Sequence, residues 1–175
     1  LDNAFAGAVT LYDGVLEIRD STISGTRESA NLGGGVGIYT AQQWDWAPSS
    51  LLVANSTISD NLAAGIWLGV EGSYRLEGVT VTGGIGVDHG ATTRCGDGVF
   101  AAGTAAWDGS AGLSIRGSTI SGNEGAGLFL DNASARLDDN AWSDNAPDLL
   151  VQGEACLAPR DDYSEVPNAE TCPTW

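Results

Sequence analysis

Apolar residues recur along this chain two positions apart, in short bursts separated by glycine, asparagine and serine. Leu16/Ile18, Tyr74/Leu76, Leu113/Ile115 and Ala135/Leu137 each enclose one polar residue, and Leu51/Val53 encloses Leu52. Such period-2 alternation is a strand signal, and no helical spacing stands beside it. Five residues beyond the second apolar position lies the centre of a recurring tetrapeptide. It reads STIS at 21–24, 56–59 and 118–121, VTVT at 79–82, and more weakly NAWS at 140–143. A further short strand follows each copy, Gly37-Ile38-Tyr39-Thr40, Gly65-Ile66-Trp67-Leu68, Gly98-Val99-Phe100-Ala101, Gly127-Leu128-Phe129-Leu130 and Asp148-Leu149-Leu150-Val151, and one of the same set, Ala8-Val9-Thr10-Leu11, precedes the first. Asn61, Asn123 and Asn145 recur just after the tetrapeptide, where stacked amides can bond from one repeat to the next.

The repeat length is informative. Ile58 to Val81 spans 23 residues and Ile120 to Trp142 spans 22, about one turn of a solenoid with three short strands and three bends. Ile23 to Ile58 spans 35 and Val81 to Ile120 spans 39. The extra residues fall on both sides of the second strand, roughly at 26–36 and 41–50, then at 83–97 and 102–112. A β-sandwich would show paired hairpin turns and no fixed ladder. The text STISGNEGAGLF, with GGGVGIY in the first long coil, resembles the repeats of right-handed parallel β-helix proteins, which include pectate-lyase-like secreted proteins and polymorphic outer-membrane adhesins. The resemblance covers residues 8–153. It implies an all-β, right-handed parallel β-helix of about five to six coils, with loop insertions in alternate coils. It implies no single activity, because such folds carry lyases, hydrolases, epimerases, adhesins and stalks.

Residues 1–153 are therefore read as the β-helix, its N-terminal end truncated, and 154–175 as a C-terminal capping tail that blocks edge-to-edge stacking. The first residues already look like the middle of the fold. The chain is thus expected to be a trimmed piece of something longer, its N-terminal end awaiting further coils or a subunit.

Inward–outward alternation gives the second strand an unusual outer face: Thr10, Tyr39, Trp67, Phe100, Phe129 and Leu150 on successive rungs. Rungs lie about 4.8 Å apart, so this is a stripe four aromatics long. Each ring is worth about 2–3 kcal/mol when buried, which disfavours leaving all four wet. Either the insertions fold over it, with Trp44, Trp46 and Trp107 packing as a second core, or they wall a groove with an aromatic floor. The groove would stack sugar rings, with Asp45, Asp88, Asp97 and Asp108 as polar rim groups. Cover by another subunit is a third option.

Composition narrows the partners. The 175 residues include 23 acids against seven cations, all arginine, for a net charge of −16. That repels nucleic acid and anionic lipid. No apolar run reaches the length of a membrane span. The expected setting is secreted or cell-surface, with a glycan or an extracellular or cell-surface protein as partner. Cys156 and Cys172 bracket the tail and could form a disulfide, stabilising it by about 3 kcal/mol in an oxidising compartment; Cys95 is left over.

Three constellations carry candidate chemistry. Asp88, His89 and Arg94 share a Gly-rich loop and could abstract a proton from a uronate. The loop resembles, in part, the Asp-and-His loops of β-helix epimerases and the Gly-His-Gly of polygalacturonases, without their other acidic clusters. Asp138, Asp139 and Asp144, with Asp161 and Asp162 in the tail, offer hard oxygen ligands that suit Ca²⁺; no other cofactor is expected. Lyases of this family combine calcium with a Lys or Arg base. This chain has no Lys, and Arg75, Arg116 and Arg136 read as scattered along strands and turns. The outward pairs Thr22/Ser24, Thr57/Ser59, Thr80/Thr82 and Thr119/Ser121 resemble ice-binding arrays, although unequal coils should spoil their regularity. The balance leans away from an enzyme and towards a binding or scaffold module.

Overall fold

The computed structural model describes residues 6–11, 14–29, 33–41, 49–69, 72–87, 94–103, 112–153, 156–157 and 170–171. Three parallel sheets run the length of a solenoid. The first, the aromatic sheet, stacks Ala6–Leu11, Val36–Ala41, Ala64–Leu68, Asp97–Ala102, Leu128–Asp131 and Leu149–Gln152. A second, the charged sheet, stacks Val15–Arg19, Ser49–Ala54, Gly72–Glu77, Gly112–Arg116 and Ser134–Asp138. Cys156–Leu157 and Glu170–Thr171 extend it, so two segments of the tail continue the solenoid. The hydroxyl sheet is the third, made of Thr22–Ser24, Thr57–Ser59, Thr80–Thr82, Thr119–Ser121 and Ala141–Ser143.

Inside, like residues stack on like. Leu16, Leu51, Tyr74, Leu113, Ala135 and Leu157 succeed one another, as do Ile18, Val53, Leu76, Ile115 and Leu137. Ile23, Ile58, Val81, Ile120 and Trp142 line the hydroxyl sheet's inner side, and Ile38, Ile66, Val99, Leu128 and Leu149 that of the aromatic sheet. Most are wholly buried and form one continuous core. Each such Leu or Ile contributes about 1.5–3 kcal/mol.

Two corners repeat one backbone conformation. Between charged and hydroxyl sheets, Asp20, Asn55, Gly78, Gly117 and Asp139 all have φ between 48° and 60°. Between hydroxyl and aromatic sheets, Gly25, Asp60, Gly83, Gly122 and Asp144 have φ between 54° and 70°. Gly, Asn and Asp are the residues that tolerate this left-handed region. Inside the second corner the amides form the expected ladder. The Asn123 amide donates to Asn145 Oδ1 at 2.8 Å, and Asn145 Nδ2 donates to the Ile120 carbonyl at 2.9 Å. Gly84 interrupts it, because a Cβ there would lie 2.8 Å from the Gly96 carbonyl carbon. Asn61 Nδ2, one coil below, is left buried without a hydrogen bond.

One register differs from the sequence reading. Val9, not Thr10, pairs with Tyr39, and Thr10 pairs with Thr40. The cause is a glycine ladder that opens the second strand: Gly7, Gly37, Gly65, Gly98 and Gly127. A Cβ on Gly65 would lie 2.6 Å from the Gly98 carbonyl oxygen and 2.7 Å from Val81 Cγ1; one on Gly98 would lie 2.6 Å from the Gly127 oxygen. Gly7 meets the same obstruction from Gly37, so glycine must stack on glycine and the first strand shifts by one. The hydroxyl sheet also departs from expectation. Thr22, Thr57, Thr80 and Thr119 stay in unbroken register, because the insertions enter at corners and leave this ladder untouched.

Gly65→Ala is expected to lower unfolding stability by about 1–3 kcal/mol through overpacking against fixed backbone. Gly25→Asn, at a left-handed corner with open space around it, should stay within about 0.5 kcal/mol of wild type. Urea denaturation of both variants checks the contrast.

Candidate functional site

The aromatic stripe occupies the outer face of the aromatic sheet. Tyr39 pairs with Trp67, Trp67 with Phe100, Phe100 with Phe129, and Phe129 with Leu150. Centroids of Tyr39 and Trp67 lie 6.4 Å apart at 45°, those of Trp67 and Phe100 4.3 Å apart at 44°, and those of Phe100 and Phe129 5.1 Å apart at 86°. These tilted and edge-on arrangements are the ones aromatic quadrupoles favour. Phe100 is only 2 % exposed, while Tyr39, Trp67, Phe129 and Leu150 are half-buried. The stripe is therefore neither fully wet nor fully sealed: its centre is closed and its flanking rings reach solvent.

Where the stripe's strands turn towards the charged sheet, a polar knot holds the corner. The Tyr74 hydroxyl donates to the Gly69 carbonyl at 2.6 Å, and the Gly69 amide donates to Thr40 Oγ1 at 3.0 Å. Thr40 is fully buried. Burial raises the Tyr74 phenol above its ordinary pKa, with the hydrogen bond from Thr40 acting in the opposite sense.

Some candidates do other work. Asp97 was expected on the groove rim; it is buried, and its Oδ1 accepts a hydrogen bond from the Ala126 amide at 2.8 Å, tying adjacent coils. Among the described residues, Asp138, Asp139 and Asp144 included, no three His, Cys, Asp or Glu side chains form a group that could hold a metal ion. Asp139 and Asp144 hold left-handed corners, and Asp138 faces Arg116 at 3.4 Å. Arg94 lies on a short antiparallel pair, its backbone opposite Val87, with Cys95 opposite Gly86. Trp44, Asp45, Trp46, Asp88, His89, Trp107, Asp108, Asp161, Asp162 and Cys172 lie outside the described residues.

One grouping escaped the sequence reading. Arg75, Arg116 and Arg136 are not scattered: Arg75, Ser114 and Arg136 form one row on the outer charged sheet, and Glu77, Arg116 and Asp138 the next. The signal was available, since each arginine directly follows a core-ladder residue: Tyr74, Ile115 and Ala135.

The model of the right-handed β-helix region matches residues 2–158, and the chain belongs to that family. Neither the comparison with curated proteins nor that with solved structures returned a match.

The Tyr74 shift carries a pH signature. A folded pKa raised above the ordinary value near 10 means full stability below about pH 10, lost as pH rises further and the unfolded chain ionises. Melting temperatures from pH 8 to 11.5 should fall more steeply for wild type than for Tyr74→Phe. The variant starts lower by about 1 kcal/mol, one hydrogen bond's worth, and the gap should narrow above pH 10.

Proposed function

We propose that the aromatic face is a carbohydrate-binding platform on a secreted or cell-surface β-helix, engaging glycan or a glycan-bearing extracellular protein. The observation that carries this reading is the ladder Tyr39–Trp67–Phe100–Phe129, in which Tyr39, Trp67 and Phe129 stay half-buried on consecutive rungs around a closed Phe100 and so keep part of their ring surface in solvent. Sugar rings stack on such surfaces through their C–H faces, while their hydroxyls need polar groups at the edges. The insertions on both sides of the sheet carry Asp45, Asp88 and Asp108 as candidates for that role, and Trp44 and Trp107 as further stacking groups. The acidic surface, Cys156 and Cys172 support an extracellular setting. The role is binding or scaffolding, and it needs no cofactor.

A catalytic reading of the same face has one supporting feature. The antiparallel pair Gly86–Val87/Arg94–Cys95, between whose strands Asp88 and His89 fall in the sequence, leads directly into Asp97–Ala102 of the aromatic sheet. On that reading the protein is a polysaccharide-active enzyme, a lyase, hydrolase or epimerase of uronans. A polysaccharide panel monitored for new reducing ends and for unsaturated products would reveal it, with His89→Ala abolishing turnover.

For the binding reading, intrinsic fluorescence is the direct probe. Trp67 should be partly accessible to acrylamide, seen as the difference in quenching between wild type and Trp67→Phe, and a bound neutral or acidic oligosaccharide should protect it. Trp67→Ala should weaken that oligosaccharide's binding about tenfold or more, the loss of one aromatic stacking anchor. A panel in which no glycan protects Trp67, or a Trp67→Ala protein that binds unchanged, sinks the platform.

A further inference from the structure

We infer a second ligand site on the charged sheet, on a different face of the solenoid from the aromatic stripe, fitted to a single carboxylate-bearing sugar residue. A shallow depression of about 170 Å³ is lined by Arg75, Glu77, Ser114, Arg116, Arg136 and Asp138. It spans three consecutive strands in register, so its geometry is set by the backbone ladder. In a chain of net charge −16 with only seven cations, three guanidiniums converge here.

Their partners leave capacity for a ligand. Arg75 pairs with Glu77 on its own strand. Arg116 Nε stands 3.4 Å from Asp138 Oδ2, a loose ion pair and longer than a normal hydrogen bond. Arg136 is exposed and meets no carboxylate within ion-pair distance among the described residues. Arg75 and Arg136 flank Ser114 in one row, and Arg116 stands beside Ser114 in the next. Three guanidinium forks and a hydroxyl therefore line one depression, a donor set that suits a planar carboxylate through paired N–H donors.

The two carboxylates in the lining decide the rest of the chemistry. A bare anion would gain from the arginines and be repelled by Glu77 and Asp138. A carboxylated sugar satisfies both sets: its carboxylate accepts from the arginines and its hydroxyls donate to Glu77 and Asp138. The absence of any apolar lining residue argues against an acidic peptide, which would seek an anchor pocket. At physiological ionic strength charges are screened beyond about 8 Å, so the local arginines outweigh the distant acidic surface.

The test is titration of ¹⁵N-labelled protein with four small probes, reading the arginine Nε–Hε resonances. Glucuronate should shift Arg75, Arg116 and Arg136 with a Kd of order 1 mM, as expected of one small contact site. Glucose, glutamate and glucose 6-sulfate should each bind at least about fivefold more weakly. The double variant Arg116→Gln/Arg136→Gln, both exposed and expected to keep the wild-type melting temperature, should lose glucuronate binding about tenfold or more. Trp67→Ala should leave it unchanged, which separates this site from the aromatic platform. Silence of the arginine resonances to tens of mM overturns the inference, as does undiminished binding by the double variant. Equal or tighter binding of glutamate would make it a peptide-acid site, and of glucose 6-sulfate a sulfate site; either result overturns the assignment to a carboxylated sugar.

Discussion

Everything in this molecule hangs on how closely one rung's backbone can lie on the next. At the start of each second strand the carbonyl of the following coil sits where a Cβ would project: 2.5 Å from it at Gly37, 2.6 Å at Gly65 and Gly98, 2.7 Å at Gly127. Only glycine fits, and the branched side chains of Ile58, Val81 and Ile120 press into the same space from the hydroxyl sheet. This contact joins two sheets across a corner and fixes the phase of the strand that follows. Once glycine is stacked on glycine, alternation sends Ile38, Ile66, Val99 and Leu128 inward and Tyr39, Trp67, Phe100 and Phe129 outward. The aromatic stripe is a consequence of that register.

The same argument explains what could be read from the sequence. The core ladders of the charged and hydroxyl sheets were legible residue by residue, because the corner between them is short and alike in every coil, and left-handed Asp, Asn or Gly marks its place. Val9 was missed because the first strand was aligned on its apolar run, Ala8 to Leu11, when Gly7 was the better marker. Asp97 was misread for a related reason, and the acids at 138, 139 and 144 pose the same question. Composition shows an acid without showing whether it faces a ligand, ties one coil to the next, or occupies a left-handed corner that only Asn, Asp or Gly tolerates well. The arginine group went unnoticed because residues adjacent in space across rungs stand 20 to 40 positions apart in the chain.

Three outward faces with different chemistry follow from one inward rule. A parallel solenoid demands apolar residues inside and small or left-handed residues at corners, and it leaves outward positions free. Those positions have diverged into rings, alternating charges and hydroxyls, while the inner ladders remain nearly uniform. Each face is a regular array at rung spacing, so a side chain's neighbours on the same face come from the coils above and below. Function on such a scaffold is therefore a property of rows, and single residues matter through their place in a row.

The placement of the insertions separates the faces further. Between charged and hydroxyl sheets every coil turns in the same two residues, from Asp20-Ser21 to Asp139-Asn140, with the hydroxyl or amide of Ser56, Ser118 or Asn140 accepting from a neighbouring coil's amide. Nothing can be inserted there without breaking both the left-handed ladder and those hydrogen bonds. The other two corners accept long additions in alternate coils, and these two corners are the borders of the aromatic sheet. Loops that vary in length on a rigid scaffold are where binding residues concentrate. Had the extra chain been needed only to shelter apolar surface, it would serve best over the stripe's centre. Phe100 is indeed closed off, yet Trp67 and Phe129 on either side keep part of their surface in solvent. A face sealed for stability alone would have covered these rings or replaced them with smaller side chains. Large rings thus stay at the margin of solvent on the one face whose two corners both admit insertions, so the residues that can meet these rings come from chain that the solenoid itself does not require.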